Sequence, residues 1–275
     1  MTTNILTDVE SSSPLVMGIL NVTPDSFSDG GKYSTYKHAF LQAEKMIEEG
    51  VDIIDIGGES TKPGAKAVCE NDEIERVIPL LSAIKEKFAI KVSIDTSKAE
   101  VMRQAIQHGA DLINDVRALQ NKGCLEVLAQ SDLPICLMHM QGLPKTMQDN
   151  PTYDNIIGDI KRFFIQRITA CEKVGINRSR LILDPGFGFG KTLMQNYQLL
   201  AQLEKFNDLG LPLLSGTSRK SMIGDLLSRN VDERLAGSLA TAIISAQKKV
   251  NIIRVHDVKE TVDVLKVLKM TANYQ

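Results

Sequence analysis

Cysteine is scarce and unpatterned in this chain: Cys69, Cys124, Cys136 and Cys171 are the four present, and no two stand in a CxxC or CxxH spacing. That argues against a thiolate zinc site and against a disulfide framework, so they read as small reduced hydrophobes. No stretch approaches the ~18 apolar residues of a membrane span, and the polar start from Met1 to Pro14 has no apolar segment of secretory type. A cytoplasmic protein is expected. An excess of one charge is also missing, with Lys and Arg numbering 32 against 34 Asp and Glu for a formal net charge of -2. There is thus no basic footprint for nucleic acid and no charged interaction tail. Low-complexity tracts and linkers rich in Pro, Gly or Ser do not occur either, so nothing marks a domain boundary. Small molecules are the expected partners.

What the chain does have is eight short apolar runs, each followed by residues able to bind or react. They are Leu15 to Leu20 before Asn21, Ile53 to Ile56 before Gly57-Gly58-Glu59-Ser60, Val92 to Ile94 before Asp95, and Leu112 to Ile113 before Asn114-Asp115. Then follow Ile135 to Met138 before His139, Leu181 to Leu183 before Asp184, Leu213 to Leu214 before Ser215-Gly216, and Ile252 to Val255 before His256. Helical patterns separate the runs: Tyr36, Phe40, Ala43, Ile47 and Leu235, Leu239, Ile243, Ala246 each keep a three-to-four spacing. Ser97 with Glu100 and Asp257 with Glu260 form capping-box patterns, while Gly50, Gly109, Gly175 and Gly210 stand where helices should stop. An open doubly wound sheet would show similar alternation, but a count of eight favours closure into a (β/α)8 TIM barrel. A chain of 275 residues suits one such domain, with a polar extension over 1–14 and the barrel over 15–275. All strand C-termini of a barrel open on one face, so residues from Asn21 to His256 should meet in one pocket.

Three segments sharpen that pocket. Asp184-Pro185-Gly186-Phe187-Gly188-Phe189-Gly190-Lys191-Thr192 ends like a P-loop but has Pro185 where that motif needs glycine. Asp184 is a carboxylate costly to bury without a partner, and Phe187 and Phe189 are suited to packing on a flat ligand at the mouth. In Ser215-Gly216-Thr217-Ser218-Arg219-Lys220-Ser221, a cap at Ser218 would put Arg219 and Lys220 in the first turn of a helix, where cations call for an anion. With Arg254 and His256 they would form an anion site of the kind barrels place after strands seven and eight. The loop Asn21 to Gly31 offers oxygen ligands, which suit Mg²⁺ better than zinc. His38 and His108 fall in helical patterns and read as surface residues, while His139 ends a strand with its role open. The residues themselves therefore lead to a barrel enzyme for an anionic, hydrogen-bond-rich substrate.

The strings ILNVTPDSFSDGG (Ile19 to Gly31), DIGGESTKPG (Asp55 to Gly64), SIDTSK (Ser93 to Lys98), DPGFGFGK (Asp184 to Lys191), SRK (Ser218 to Lys220) and RVHDV (Arg254 to Val258) resemble the dihydropteroate synthase family, pterin-binding barrels of folate biosynthesis. The resemblance spans nearly the whole chain and keeps the family order. It implies condensation of a dihydropterin hydroxymethyl pyrophosphate with p-aminobenzoate to give dihydropteroate and pyrophosphate, in a homodimer of a family that sulfonamides target. Position by position it implies that Asp95, Asn114 and Asp184 bind the pterin and that Lys220 reaches its other edge. Asn21 would hold Mg²⁺ and pyrophosphate, with Thr61, Arg254 and His256 as further pyrophosphate contacts. Phe189 and Ser218 would flank p-aminobenzoate, and loop residues Phe27, Asp29, Lys62 and Pro63 would complete that pocket. Asn21, Lys220, Arg254 and His256 are the implied catalytic set. Lys62 stands where the family string has Arg, keeping the charge but losing the planar fork. A corrinoid-linked methyltransferase of the same pterin pocket would not need the anion cluster, and a non-catalytic pterin binder would not need the leaving-group residues.

Overall fold

Largely apolar segments of two to seven residues, too short for buried helices, form eight parallel strands in this computed structural model, which describes residues 5–8, 13–22, 32–60, 67–142, 147, 151–272 and 274. The strands are β1 (Leu15–Asn21), β2 (Ile53–Gly57), β3 (Lys91–Asp95), β4 (Leu112–Asp115), β5 (Ile135–Met138), β6 (Leu181–Asp184), β7 (Leu214–Ser215) and β8 (Ile252–Val255). They are ordered β6-β5-β4-β3-β2-β1-β8-β7, and a parallel bridge between Leu183 and Leu213 brings β6 to β7. The result is the expected (β/α)8 TIM barrel. Near-continuous hydrophobicity in most strands follows from burial on both faces.

The helices are α1 (Ile5–Asp8), α2 (Lys32–Glu48), α3 (Glu70–Lys87), α4 (Ala99–Gln107), α5 (Cys124–Ala129), α6 (Ile156–Lys173), α7 (Leu193–Ala201), α8 (Ser221–Leu227), α9 (Leu235–Gln247) and α10 (Val258–Ala272). The four predicted stop glycines all take left-handed φ values, between 65° at Gly210 and 89° at Gly175. The two predicted capping side chains are drawn to other partners, although α10 still begins directly after Asp257, where the pattern placed it. The Ser97 hydroxyl is spent on Asp115, so α4 begins after Lys98 without a side-chain cap, and the Asp257 carboxylate is spent on Arg219.

The stripe expected on α9 is also displaced. Its buried residues are Ser238, Thr241, Ala242 and Ser245, whereas Leu235, Leu239, Ile243 and Ala246 are only half-buried. Hydroxyls on this face serve the β7 segment: Ser245 meets Ser215 at 3.0 Å, Thr241 meets Thr217 at 2.8 Å, and Ser238 accepts the Arg219 N–H at 3.0 Å. Small side chains let this helix sit close, and hydroxyl pairs replace the apolar contact that the spacing suggested.

Inside the barrel lies a separate apolar cluster of Met17, Ile53, Leu112, Cys136, Ile182, Leu214 and Ile252, capped from below by Ile5 of α1. Asp8 beside it pairs with Lys91 at the start of β3. Part of the polar N-terminal extension thus closes the barrel base.

Candidate active site at the strand C-termini

Side chains two residues apart on a strand face the same side. Two steps beyond the apolar cluster, the interior therefore receives Asp55, Asn114, Asp184 and Arg254, with Asp95 following Ser93 on β3. Pairing keeps Asn21, Gly57, Asp95 and Asn114 in one register row across β1 to β4, and puts Met138 opposite Asp184. Residues as distant in sequence as Asn21 and Arg254 meet at one mouth.

Arg254 organises the floor. Its Nε donates to Asp55 Oδ2 at 2.6 Å and one Nη donates to Asp95 Oδ2 at 2.9 Å. Burial acts to lower the guanidinium's affinity for its proton, but the two carboxylates outweigh it and hold the charge firmly. Burial raises the pKa of Asp95, with Arg254 pulling the other way and the neighbouring carboxylates adding to the rise. Asn114 Nδ2 donates to the same Asp55 oxygen at 3.2 Å. A carboxylate there can face only the NH₂ end, so the Asn114 carbonyl is left as an acceptor.

Asp55 was missing from the sequence-based site. Its signal was available, since a carboxylate inside Ile53-Ile54-Asp55-Ile56 is out of place in a buried strand. Its second oxygen, Oδ1, and the Oγ of its register partner Ser93 are buried without a protein partner among the described residues.

Opposite stand Asp184 and Lys220. Asp184 Oδ1 accepts the Gly186 N–H at 2.8 Å, and burial raises its carboxyl pKa against the pull of Lys220. Burial lowers Lys220 to about 8 despite the carboxylate of Asp184. The ammonium donates to the Phe187 carbonyl and lies 4.7 Å from the centre of the Phe189 ring. Phe187 itself is fully buried in the surrounding core, so only Phe189 of the expected pair reaches the mouth.

The segment after β7 departs from expectation. Ser218 does not cap a helix: α8 starts at Ser221 with Lys220 at its N-cap position, and Arg219 takes a left-handed φ of 56°. That turn sends Arg219 outward to a two-point bond with Asp257, so its compensating anion lies within the chain. Ser218 Oγ instead meets His256 Nδ1 at 3.1 Å and accepts the His256 N–H at 3.1 Å, joining the ends of β7 and β8 beside an exposed imidazole.

Asn21 ends β1 at the rim, and its Oδ1 would stand 3.4 Å from a Cβ built on Gly57. No group of three or more His, Cys, Asp or Glu able to hold a metal occurs among the described residues. One amide oxygen still fits Mg²⁺, which keeps most of its waters and commonly takes one or two protein oxygens besides phosphate. Thr61, Lys62, Pro63, Phe27 and Asp29 lie outside the described residues. The approach to Thr61 is anchored: Glu59 accepts the Val68 N–H at 3.2 Å, and Lys98 pairs with both Glu59 and Glu73. His38 and His108 are exposed as expected, while His139 is buried against Phe163, with ring centres 4.9 Å apart.

Comparison with known proteins agrees with this geometry. The profile of the family described as pterin binding enzyme matches residues 17–256. The dihydropteroate synthase of Escherichia coli strain K12 is 54% identical over 265 residues, covering 96% of this chain and 94% of that protein. Yersinia pestis dihydropteroate synthase, solved in a sulfonamide drug complex, superposes with a TM-score of 0.91 at 52% identity over 95% of both chains. Xanthomonas albilineans dihydropteroate synthase, solved with 4-aminobenzoic acid, gives a TM-score of 0.90 at 47% identity over 94% of this chain and 93% of that one. Sharing about half its residues with these proteins over nearly its full length, and the same barrel, the chain belongs to the family of pterin binding enzymes.

Proposed function

We propose that this barrel carries out the dihydropteroate synthase reaction, as a transferase of folate biosynthesis that joins (7,8-dihydropterin-6-yl)methyl diphosphate to p-aminobenzoate and releases pyrophosphate. The observation that carries the reading is the convergence of Asp95, Asn114 and Asp184 with Lys220 opposite, at the strand C-termini. An aminopyrimidinone ring presents several N–H donors, and these three residues supply carboxylate or amide oxygens that accept them. Lys220 lies across from them as a donor to the other edge of the ring.

The bond that breaks joins the methylene carbon to the pyrophosphate oxygen, which keeps the electron pair. The electron-rich dihydropterin carries the cation that remains, and the amine of p-aminobenzoate then attacks the methylene and loses a proton. No protein nucleophile is needed, and the chain's work is orientation and electrostatics. Arg254 has one Nη outside its two carboxylate bonds, so it can meet the leaving group while still tied to Asp55 and Asp95. His256 at the rim, positioned by Ser218, and Thr61 are proposed as further contacts to pyrophosphate. Phe189 and Ser218 flank the place of p-aminobenzoate, where a sulfonamide would compete. Asn21 would hold Mg²⁺, which when bound supplies positive charge to the departing pyrophosphate.

A homodimer is proposed on the resemblance alone. A cytoplasmic location accords with the finding that no described helix is long and apolar enough to cross a membrane. The deciding experiment is an assay for dihydropteroate from the two purified substrates, with and without Mg²⁺. Product formation that needs both substrates is expected, and its absence in a folded protein that binds pterin would reduce the chain to a binder.

A further inference from the structure

Lys191 is a lysine with almost no exposure, at 2%, and the reaction described above makes no use of it. Its ammonium reaches the carbonyl of Gly186 at 2.7 Å, the carbonyl of Phe189 at 3.1 Å and His139 Nδ1 at 3.1 Å. When protonated, a state that burial disfavours, it matches three donors to three acceptors. For His139 this requires the tautomer with its proton on Nε2. Burial, and next the charge of Lys191, push His139 down to about 2, so it stays a neutral acceptor through the physiological range.

The two carbonyls held by Lys191 are the two ends of a four-residue arc, Gly186 to Phe189. That arc carries both contacts of Lys220, the Phe187 carbonyl and the Phe189 ring. Other bonds stiffen the same arc and the residue after it: Asn196 Oδ1 accepts the Gly188 N–H at 2.7 Å, and Tyr153 donates its hydroxyl to the Gly190 carbonyl at 2.7 Å. The backbone is pressed against the end of β5, since a Cβ on Gly186 would fall 1.9 Å from the His139 carbonyl oxygen.

We propose that Lys191 is a positioning residue for Lys220: by cross-bracing the arc after β6 it fixes the carbonyl and the ring that seat the Lys220 ammonium against the pterin edge. The charged groups that act on Lys220 are Asp184 on β6, Arg254 on β8 and Asp95 on β3; burial lowers Lys191 well below the usual lysine value, Asp184 opposes that fall and the charge of Lys220 adds to it, so the two amines are coupled by charge as well as through the arc. The proposal rests on the pterin reading of the pocket.

The test is calorimetric affinity for a pterin lacking phosphate, measured from about pH 6 to about pH 10 on the parent and on Lys191→Met, with thermal unfolding recorded alongside. The parent should lose affinity as pH rises through about 8, where Lys220 gives up its proton. Lys191→Met should bind about tenfold more weakly at neutral pH, and its alkaline limb should move up toward the ordinary lysine value of 10.5, because a Lys220 released from its seat is better hydrated. Lys191→Gln, which removes the same charge but keeps two N–H donors, should lie between the two; a limb that moves equally in both variants would trace the shift to the lost charge and overturn the proposal. A limb that stays in place overturns the proposal whether or not affinity falls, since packing alone would then explain any loss. Failure of both variants to fold overturns it as well, because Lys191 would then be a determinant of folding. A parent that binds no pterin overturns the pterin reading together with this one, whereas a binding parent with an unmoved limb in the variants sinks only the role of Lys191.

Discussion

Two layers of the barrel interior are separated by a single step of two residues, and they do opposite things. In the lower one Met17, Ile53, Leu112, Cys136, Ile182, Leu214 and Ile252 close on Ile5 and on each other. In the upper one Asp55, Asn114, Asp184 and Arg254 occupy four of the same strands and Asp95 joins them from β3, with charges set against one another. The lower layer excludes water and holds the strands together. The upper layer costs free energy to bury and returns it only as pairs and as affinity for a ligand. Stability and recognition are thus stacked along one axis, and substitutions should separate them.

The largest effect is expected where a pair in the upper layer is broken. Asp55→Ala leaves Arg254 half-partnered and frees the Asn114 amide to turn, so it should lower unfolding stability by about 3–5 kcal/mol, the usual cost of a buried charge left without its partner. Pterin binding should fall with it. Urea unfolding and calorimetry on the same preparation read both losses, and a stable variant with intact affinity would remove Asp55 from the site.

Ile182→Ala opens a cavity in the lower layer. It should lower stability by about 2–4 kcal/mol while leaving pterin affinity within about twofold. A large affinity loss would show that the layers are coupled, and the comparison would fail.

Asp184→Asn makes the converse case. It keeps the shape and can still accept the Gly186 N–H, so stability should move little, while pterin affinity should weaken by about 2 kcal/mol, roughly thirtyfold, because an N–H then faces ring donors. Unchanged affinity would reassign Asp184 to the loop alone.

The smallest effect belongs to the rim. His256→Ala should weaken the pyrophosphate-bearing substrate by about tenfold, or about 1.4 kcal/mol, and barely change a pterin lacking phosphate. Equal losses for the two ligands would make His256 a structural link to Ser218.

The upper layer was legible because polar residues ending apolar runs stand out, and Asp95, Asn114 and Asp184 were found that way. Asp55 escaped because it lies inside its run, where period-two alternation and not position at the end marks it as inward. Phe187 and Phe189 are alternate residues of one loop, and the path of that loop, which spacing does not report, puts the first in the core and leaves the second at the mouth. Pattern alone did not tell Arg219 from Lys220, which only the resemblance singled out, since the difference is a left-handed turn at Arg219, a conformation that a non-glycine residue seldom takes. The displaced stripe of α9 was hidden for another reason: hydroxyl pairs with β7 are contacts between elements, and no spacing within one helix reports them.

The glycine arc after β6 bears on how the site can change under selection. Gly186 and Gly190 both carry left-handed φ values, and a Cβ at either would strike a backbone oxygen, 1.9 Å away at Gly186 and 2.4 Å away at Gly190. Lys191 finds two of its three acceptors in this arc and the third on His139 at the end of β5. Point mutation can alter side chains around the mouth, but a side chain added at Gly186 or Gly190 would displace the backbone before it discriminated between ligands. An inhibitor resting on the main chain of this arc would therefore meet a surface with few routes of escape, whereas one relying on side chains at the rim would meet residues that can be exchanged at little cost to folding.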